Sequence, residues 1–275
     1  MSKLLALITA SASITVASVA FSTNAKAGEV LDRVLQTKTL TVAIGTDWGK
    51  MASLNDQHEL AGSDVDVAEA IGKNLGVKVK FVTPGWDVIA AGKWQGRWDL
   101  AMGEMTMTKA AAEQFEFPGL YAYSWTGAFV HKDSKATKLS DLDGKVIGVA
   151  SGTTADDYIN HRLELVGVEP TYKFQPGEVK TYQSTNVAFD DLRLGDGVRL
   201  DAVLGTGEIG DDAIKAGYPL KGLGAVVNFP CSVAILRGDK EFSDKIAEAV
   251  QSMKKDGSLS KIMIKWYGID RSVQK

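Results

Sequence analysis

The chain has 275 residues, of which 45% are hydrophobic and 24% charged, with a formal net charge of −3 at pH 7. That length and apolar content suffice for one large domain or two small lobes with real cores, and the chain has no block of like charge and no low-complexity tract. The mild acidic balance argues against a nucleic-acid partner. The single Cys231 cannot form an internal disulfide, and the spacing of residues supplies it no base, so it reads as a small buried apolar side chain.

The first element is for export. Lys3 provides a positive start, Leu4 to Phe21 form an apolar run broken only by small Ser and Thr, and Ala25-Lys26-Ala27 is a small-x-small cleavage site. Gly28 is therefore expected to begin the mature chain, in the periplasm. A membrane anchor is the competing reading; the Ala, Ser and Thr content and the cleavage site count against it. No Cys follows the apolar run to carry a lipid, and no later run is long and apolar enough to span a bilayer. Residues 1–27 hold two lysines and no acid, so the mature chain is more acidic still.

Strand and helix patterns then alternate, as in α/β layers. A strand is expected over 39–45. Ser63 or Asp64 caps a helix to Leu75 that carries Val67, Ala68, Ile71 and Leu75 on one face, and Gly76 stops it. A strand follows at 77–82, a short helix at 87–94 and a buried strand at 99–102. The order recurs: a strand at 145–150, a helix at 155–165 entered through Ser151-Gly152-Thr153-Thr154, a strand at 172–174, a helix at 186–194 and a strand at 201–204. Val42-Ala43-Ile44-Gly45-Thr46 echoes Val149-Ala150-Ser151-Gly152-Thr153, and Trp98 to Gly103 echoes Leu200 to Gly205. This weak repeat predicts two lobes of similar build. The β-prone stretches 121–131 and 225–236 are candidate crossings between them. The last helices, over 241–256 and beyond Gly257, carry stripes of Ile246, Ala249, Val250 and Met253, then Ile262, Met263 and Trp266.

This order of motifs resembles the periplasmic polar-amino-acid-binding proteins of ABC transporters (solute-binding family 3). The resemblance covers nearly all of the mature chain. It rests on LTVAIGTD (40–47), GSDVDVAEAIGKNLGVKVKFV (62–82), WDLAMGEMTMT (98–108), DLDGKVIGVASGTTADDY (141–158), RLDAVL (199–204) and MKKDGSLSKIMIKWYG (253–268). It implies a type II two-lobed α/β fold whose lobes are joined by two crossing strands. Lobe 1 is expected over 28–124 and 232–275, and lobe 2 over 125–231 including the hinge strands. A small ligand in the cleft would favour closure by its differential affinity for the closed state, which an inner-membrane ABC permease would then read.

The resemblance also implies site residues, and here the chain departs from the pattern. The family holds a ligand α-carboxylate with Arg in M-T-x-T-x-x-R; in the stretch Met105-Thr106-Met107-Thr108-Lys109-Ala110-Ala111 that place is Ala111. Ala offers no bidentate cation, and Lys109 would be a point charge from another turn. The family Asp for the α-ammonium is replaced by Thr206, with Glu208 two residues on as a substitute. An ordinary α-amino acid is thus disfavoured. Trp86 matches an aromatic ligand-flanking position, against a competing role in core packing. Thr106 matches a ligand-facing hydroxyl, and Glu104 replaces a small residue. Ser151, Thr153 and Thr154 head a helix; a plain cap is the competing role for Thr153, since Asp156 and Asp157 already complement the dipole. The loop Asp47 to Leu54 lacks the family's Pro and Phe, and Trp48, with Trp86 and Trp125, is expected to form an aromatic wall.

Asp47, Glu104 and Glu208 would make such a cleft negative and suit a cationic or neutral polar ligand. An amino-acid derivative held by Thr106, Thr153 and main-chain N–H groups is the alternative. No cofactor, metal site or catalytic constellation is expected: His58, His131 and His161 are scattered, and neither G-x-S-x-G nor a P-loop is present. Two further alternatives stay open. One is a dehydratase using Glu104 or Glu208 as acid or base. The other is a partner or sensor protein with a modified cleft.

Overall fold

The computed structural model of the chain describes residues 28–165 and 169–274. The expected export segment and its cleavage point lie outside them. The first half runs α1 (Glu29–Thr37), β1 (Thr39–Ala43), a short hairpin of β2 (Ser53–Leu54) and β3 (Leu60–Ala61), α2 (Ser63–Leu75), β4 (Lys78–Val82), α3 (Trp86–Ala90), β5 (Leu100–Thr106) and α4 (Lys109–Gln114). The long strand β6 (Phe115–His131) leads into β7 (Val146–Ala150), α5 (Thr154–Ile159), β8 (Glu178–Tyr182), α6 (Thr185–Leu192), β9 (Ala202–Thr206) and α7 (Gly207–Lys215). A second long strand, β10 (Leu220–Leu236), returns to α8 (Lys240–Lys255) and α9 (Ser258–Tyr267).

The strands form one curled sheet in the order β4-β1-β5-β10-β6-β9-β7-β8. On each side three parallel strands meet one antiparallel strand: β5 meets β10 on one, and β9 meets β6 on the other. The central antiparallel pair β6 and β10 spans both lobes, from Leu220 opposite His131 to Leu236 opposite Phe115. The two halves thus repeat the same order, with the first strand in the middle (β1, β7), as the echoing stretches imply.

Each helix forms where its apolar stripe can be covered. α2 buries Val65, Val67, Ala68 and Ile71, and ends at Gly76, whose φ of 69° suits a residue without a Cβ. Asp239 caps α8 by accepting from Phe242 N at 2.9 Å; its other oxygen accepts from Val30 N and Leu31 N at 2.8 and 3.1 Å, which ties α1 down. α8 then buries Phe242, Ile246, Ala249, Val250 and Met253.

Several expectations shift. The helix expected over 87–94 is only Trp86–Ala90, because Gly92 takes φ 67° and Trp94 turns inward to give its indole N–H to Ile89 O at 2.8 Å. The helix expected to 165 stops at Ile159, where His161 takes φ 56° and stacks on Tyr172, 3.9 Å between ring centres. Residues 172–174 are then packed side chains rather than a strand, and the ladder partner of β7 is β8, further along. α1, α4, α7 and β8 were not expected. Cys231 is fully buried, with burial chief among the causes that push its thiol well above the ordinary range.

Candidate functional site

Two glycines make room for two indoles. A Cβ on Gly45 would sit 2.1 Å from the Trp48 ring, and one on Gly103 would come within 2.8 Å of Trp86 and 2.9 Å of Trp48. The rings meet edge to face, 5.6 Å apart at 82°. Behind them Asp64, fully buried, accepts Gly103 N at 2.8 Å and the Tyr121 hydroxyl at 2.8 Å, and that hydroxyl accepts Glu104 N at 2.9 Å. Burial first, and the Glu104 charge second, push the Asp64 carboxyl up to about 8.

In front of them lies a cavity of about 430 Å³ between the lobes. Asp47, Trp48, Met51, Trp86, Gly103, Glu104, Met105, Thr106 and Ala111 line it from one side; Ser151, Thr153, Thr154, Asn186 and Thr206 line it from the other. Ser124, Thr126 and Phe229 of the crossing strands belong to the same lining. Its ionisable side chains are Asp47, Asp87, Glu104 and Asp157; no Lys, Arg or His is among the described lining residues.

The lobes touch around this cavity. The Trp86 indole N–H donates to Gly152 O at 3.0 Å, the Thr106 and Thr154 hydroxyls are 2.6 Å apart, and Asn186 Nδ2 donates to Asp47 O at 2.7 Å. Lys109 N donates to Glu164 O at 2.9 Å, and Lys109 Nζ pairs with Glu164 at 3.2 Å.

Two expected site residues lie outside the lining. Trp125 packs over Gly207, where a Cβ would be 1.9 Å from its ring, and faces Phe129 at 6.2 Å. It lines a separate space of about 130 Å³, so the aromatic wall of the main cavity is Trp48 and Trp86. Glu208 also lines that smaller space; its oxygens are held by Arg271 at 2.8 Å and by the Ser124 hydroxyl at 3.0 Å. Burial pushes the Glu208 carboxyl up to about 7, with the Glu104 charge adding to it. Thr153 spends its hydroxyl locally, donating to Ala150 O at 2.8 Å and accepting Asp156 N at 3.3 Å, so it is the cap of α5. Lys109 is exposed and pairs with Glu164 rather than standing in for an arginine at 111.

The description "Bacterial extracellular solute-binding proteins, family 3" matches residues 40–269 of this chain. The chain belongs to that family. A solute-binding protein of this kind has relatives of nearly full length. The L-cystine-binding protein TcyJ of Escherichia coli is 27% identical over 245 residues, 88% of this chain and 87% of its own. The L-arginine-binding protein of Pseudomonas aeruginosa is 28% identical over 219 residues, 77% of this chain and 81% of its own. The crystal structure of an ancestral amino acid-binding protein, AncCDT-1, a precursor of cyclohexadienyl dehydratase, superposes with a TM-score of 0.74. It is 26% identical and covers 86% of this chain and 99% of its own. Residues that the sequence reading left out of the site of this solute-binding protein are Met51, Ser124, Asn186 and, behind the cavity, Arg271. The first three sit in stretches without a motif, and Arg271 follows the last helix.

Proposed function

We propose that this solute-binding protein captures a small cationic or neutral polar molecule in the interlobe cavity and delivers it to an inner-membrane ABC permease from the periplasm. The observation that carries the reading is the lining, which among the described residues holds four carboxylates, two indoles and no cationic side chain. A ligand carboxylate left unpaired in a closed cleft would cost roughly 3–5 kcal/mol, about two to four decades of affinity. Ala111 and Thr206 line the cavity where the resemblance implies Arg and Asp, so neither charged grip on a free α-amino acid is supplied there.

We divide the chain near 124/125 and 231/232, supported by β10 meeting β5 only over 231–234 and β6 meeting β9 only over 126–130. The polar contacts across the cleft support hinge closure as the binding motion. Capture without turnover is the role assigned here. A second reading, an amino-acid derivative held by the Thr106 and Thr154 hydroxyls and main-chain groups, is favoured by the relatives whose names say they bind cystine and arginine.

Thermal-shift screening with polyamines, quaternary amines, planar nitrogen heterocycles, L-arginine, L-cystine and L-glutamate tests the reading. A true ligand at a hundredfold excess over Kd adds about 2.7 kcal/mol of stability. Stabilisation by cations or neutral heterocycles, and none by L-glutamate, is expected. Strongest stabilisation by L-glutamate would refute it.

A further inference from the structure

The loop between β1 and β2 is built on the first lobe and gripped by the second. Its anchor is the start of α2: Ser63 N donates to Lys50 O at 2.9 Å and Asp64 N donates to Met51 O at 3.0 Å. Within the loop Trp48 N donates to Ala52 O at 2.8 Å. A Cβ on Gly62 would stand 2.1 Å from Met51 O, so the loop and the entry to α2 lie backbone against backbone. The loop is thereby presented as a fixed projection of the first lobe, and it carries Trp48 into the cavity wall.

From the other lobe, α6 and α7 reach this projection. Asn186 Nδ2 donates to Asp47 O at 2.7 Å. Asp212 Oδ2 accepts Lys50 N at 3.2 Å, and its other oxygen lies 3.7 Å from Lys50 Nζ. A Cβ on Gly49 would meet Asp212 Oδ2 at 2.8 Å, so that carboxylate approaches over a position with no side chain in the way. Met51, 4% exposed, joins the apolar cluster of Phe129, Phe189, Leu192 and Ile209 in the second lobe. A methionine of one lobe is thus part of the core of the other.

We propose that this loop is the clasp of the closed cleft, and that Asp212 is a positioning residue that slows the escape of a captured molecule. Asp212 lines the smaller space beside the main cavity and not the main cavity itself, so it acts on the ligand only through the loop that carries Trp48. Opening the lobes exchanges the partners of Lys50 N and Asp47 O for water and brings Met51 out of an apolar core, and both changes oppose release. Contacts that form as the lobes meet act on dissociation more than on association. The inference rests on the reading of the cavity as the ligand site.

The test measures association and dissociation rates by tryptophan fluorescence, with L-arginine, L-cystine, agmatine and cytosine as probes. The proteins are the wild type, Asp212→Ala, Asp212→Asn, Lys50→Ala and Met51→Ala. Asp212 is half-buried on a helix, where Ala is well tolerated, and unfolding curves establish that each variant is folded. At least one probe is expected to bind the wild type. For that probe Asp212→Ala should raise the dissociation rate about 2- to 12-fold, the scale of one hydrogen bond, with little change in the association rate. Asp212→Asn keeps an acceptor for Lys50 N and should restore most of the loss. Lys50→Ala keeps the backbone N–H and removes only a partly exposed ion pair, so it should change the rate by less than about twofold. Met51→Ala should raise dissociation about tenfold or more. If the wild type binds none of the probes, the cavity reading falls and this inference with it. If a probe binds and Asp212→Ala releases it at the wild-type rate, the inference alone is overturned. A lower unfolding temperature without faster release would make Asp212 a purely structural residue and overturn the inference likewise.

Discussion

Trp86 offers the sharpest separation of binding from folding. It opens α3, is half-buried, meets Trp48 edge to face at 5.6 Å and donates its indole N–H across the cleft to Gly152 O at 3.0 Å. Trp86→Phe keeps an aromatic ring, though a smaller one, and removes that hydrogen bond, worth about 0.5–1.5 kcal/mol and so roughly 2- to 12-fold in affinity. Trp86→Ala also removes the ring from the cavity wall, and a ligand packed against it loses about another 0.5–1.5 kcal/mol, which brings the loss to roughly 5- to 150-fold. The hydrogen-bond loss falls on the closed state, because Gly152 belongs to the opposite lobe, whereas the ring pair lies on one side of the cleft. Small-angle scattering of the ligand-free protein should show a more extended average in both variants. Calorimetry with a compound that stabilises the wild type should rank wild type above Phe above Ala. Unfolding temperatures should move little. If both variants close and bind as the wild type does, or if stability falls as far as affinity, Trp86 is a packing residue and the cleft is misplaced.

The buried acid behind the indoles should appear in the pH dependence of stability. Asp64 titrates near 8 in the folded protein against an ordinary value of 3.8, so the folded state holds the extra proton between those values. Its contribution is fully present below about 3.8 and is lost as pH rises through about 8, at up to about 1.4 kcal/mol per pH unit for one proton. Asp64→Asn should flatten that decline in denaturant titrations between pH 5 and 9; an unchanged slope would refute the assignment. Asp239→Ala strips the acceptor from three N–H groups that join α1 to α8, and should cost about 2–4 kcal/mol, seen as a fall in unfolding temperature of roughly 4–16 °C. Cys231 should resist thiol reagents in the native protein and react fully in denaturant, because the thiol is buried and its pKa is raised.

The sequence by itself determined the α/β class, the two similar halves and the crossing strands, and it picked out Trp48, Trp86, Thr106, Ala111 and Thr206, which line one cavity from its two sides. These are legible because each is carried by local pattern: an apolar run of strand length, a 3.6-residue stripe ending in glycine, a stretch shared between halves. The extent of elements was less legible. β5 runs past its apolar core because it pairs with β10, β10 reaches back to Leu220 because it pairs with β6, and α5 stops early because His161 finds Tyr172. Only the tertiary structure decided that Trp125 turns to Phe129, that Glu208 faces Arg271, and that Arg271 also reaches Glu104. Those outcomes depend on which side chains meet across the lobe boundary. An arginine 167 residues from its carboxylate leaves no periodicity to read; its partner is chosen by how the sheet brings the C-terminal tail back beneath the cleft.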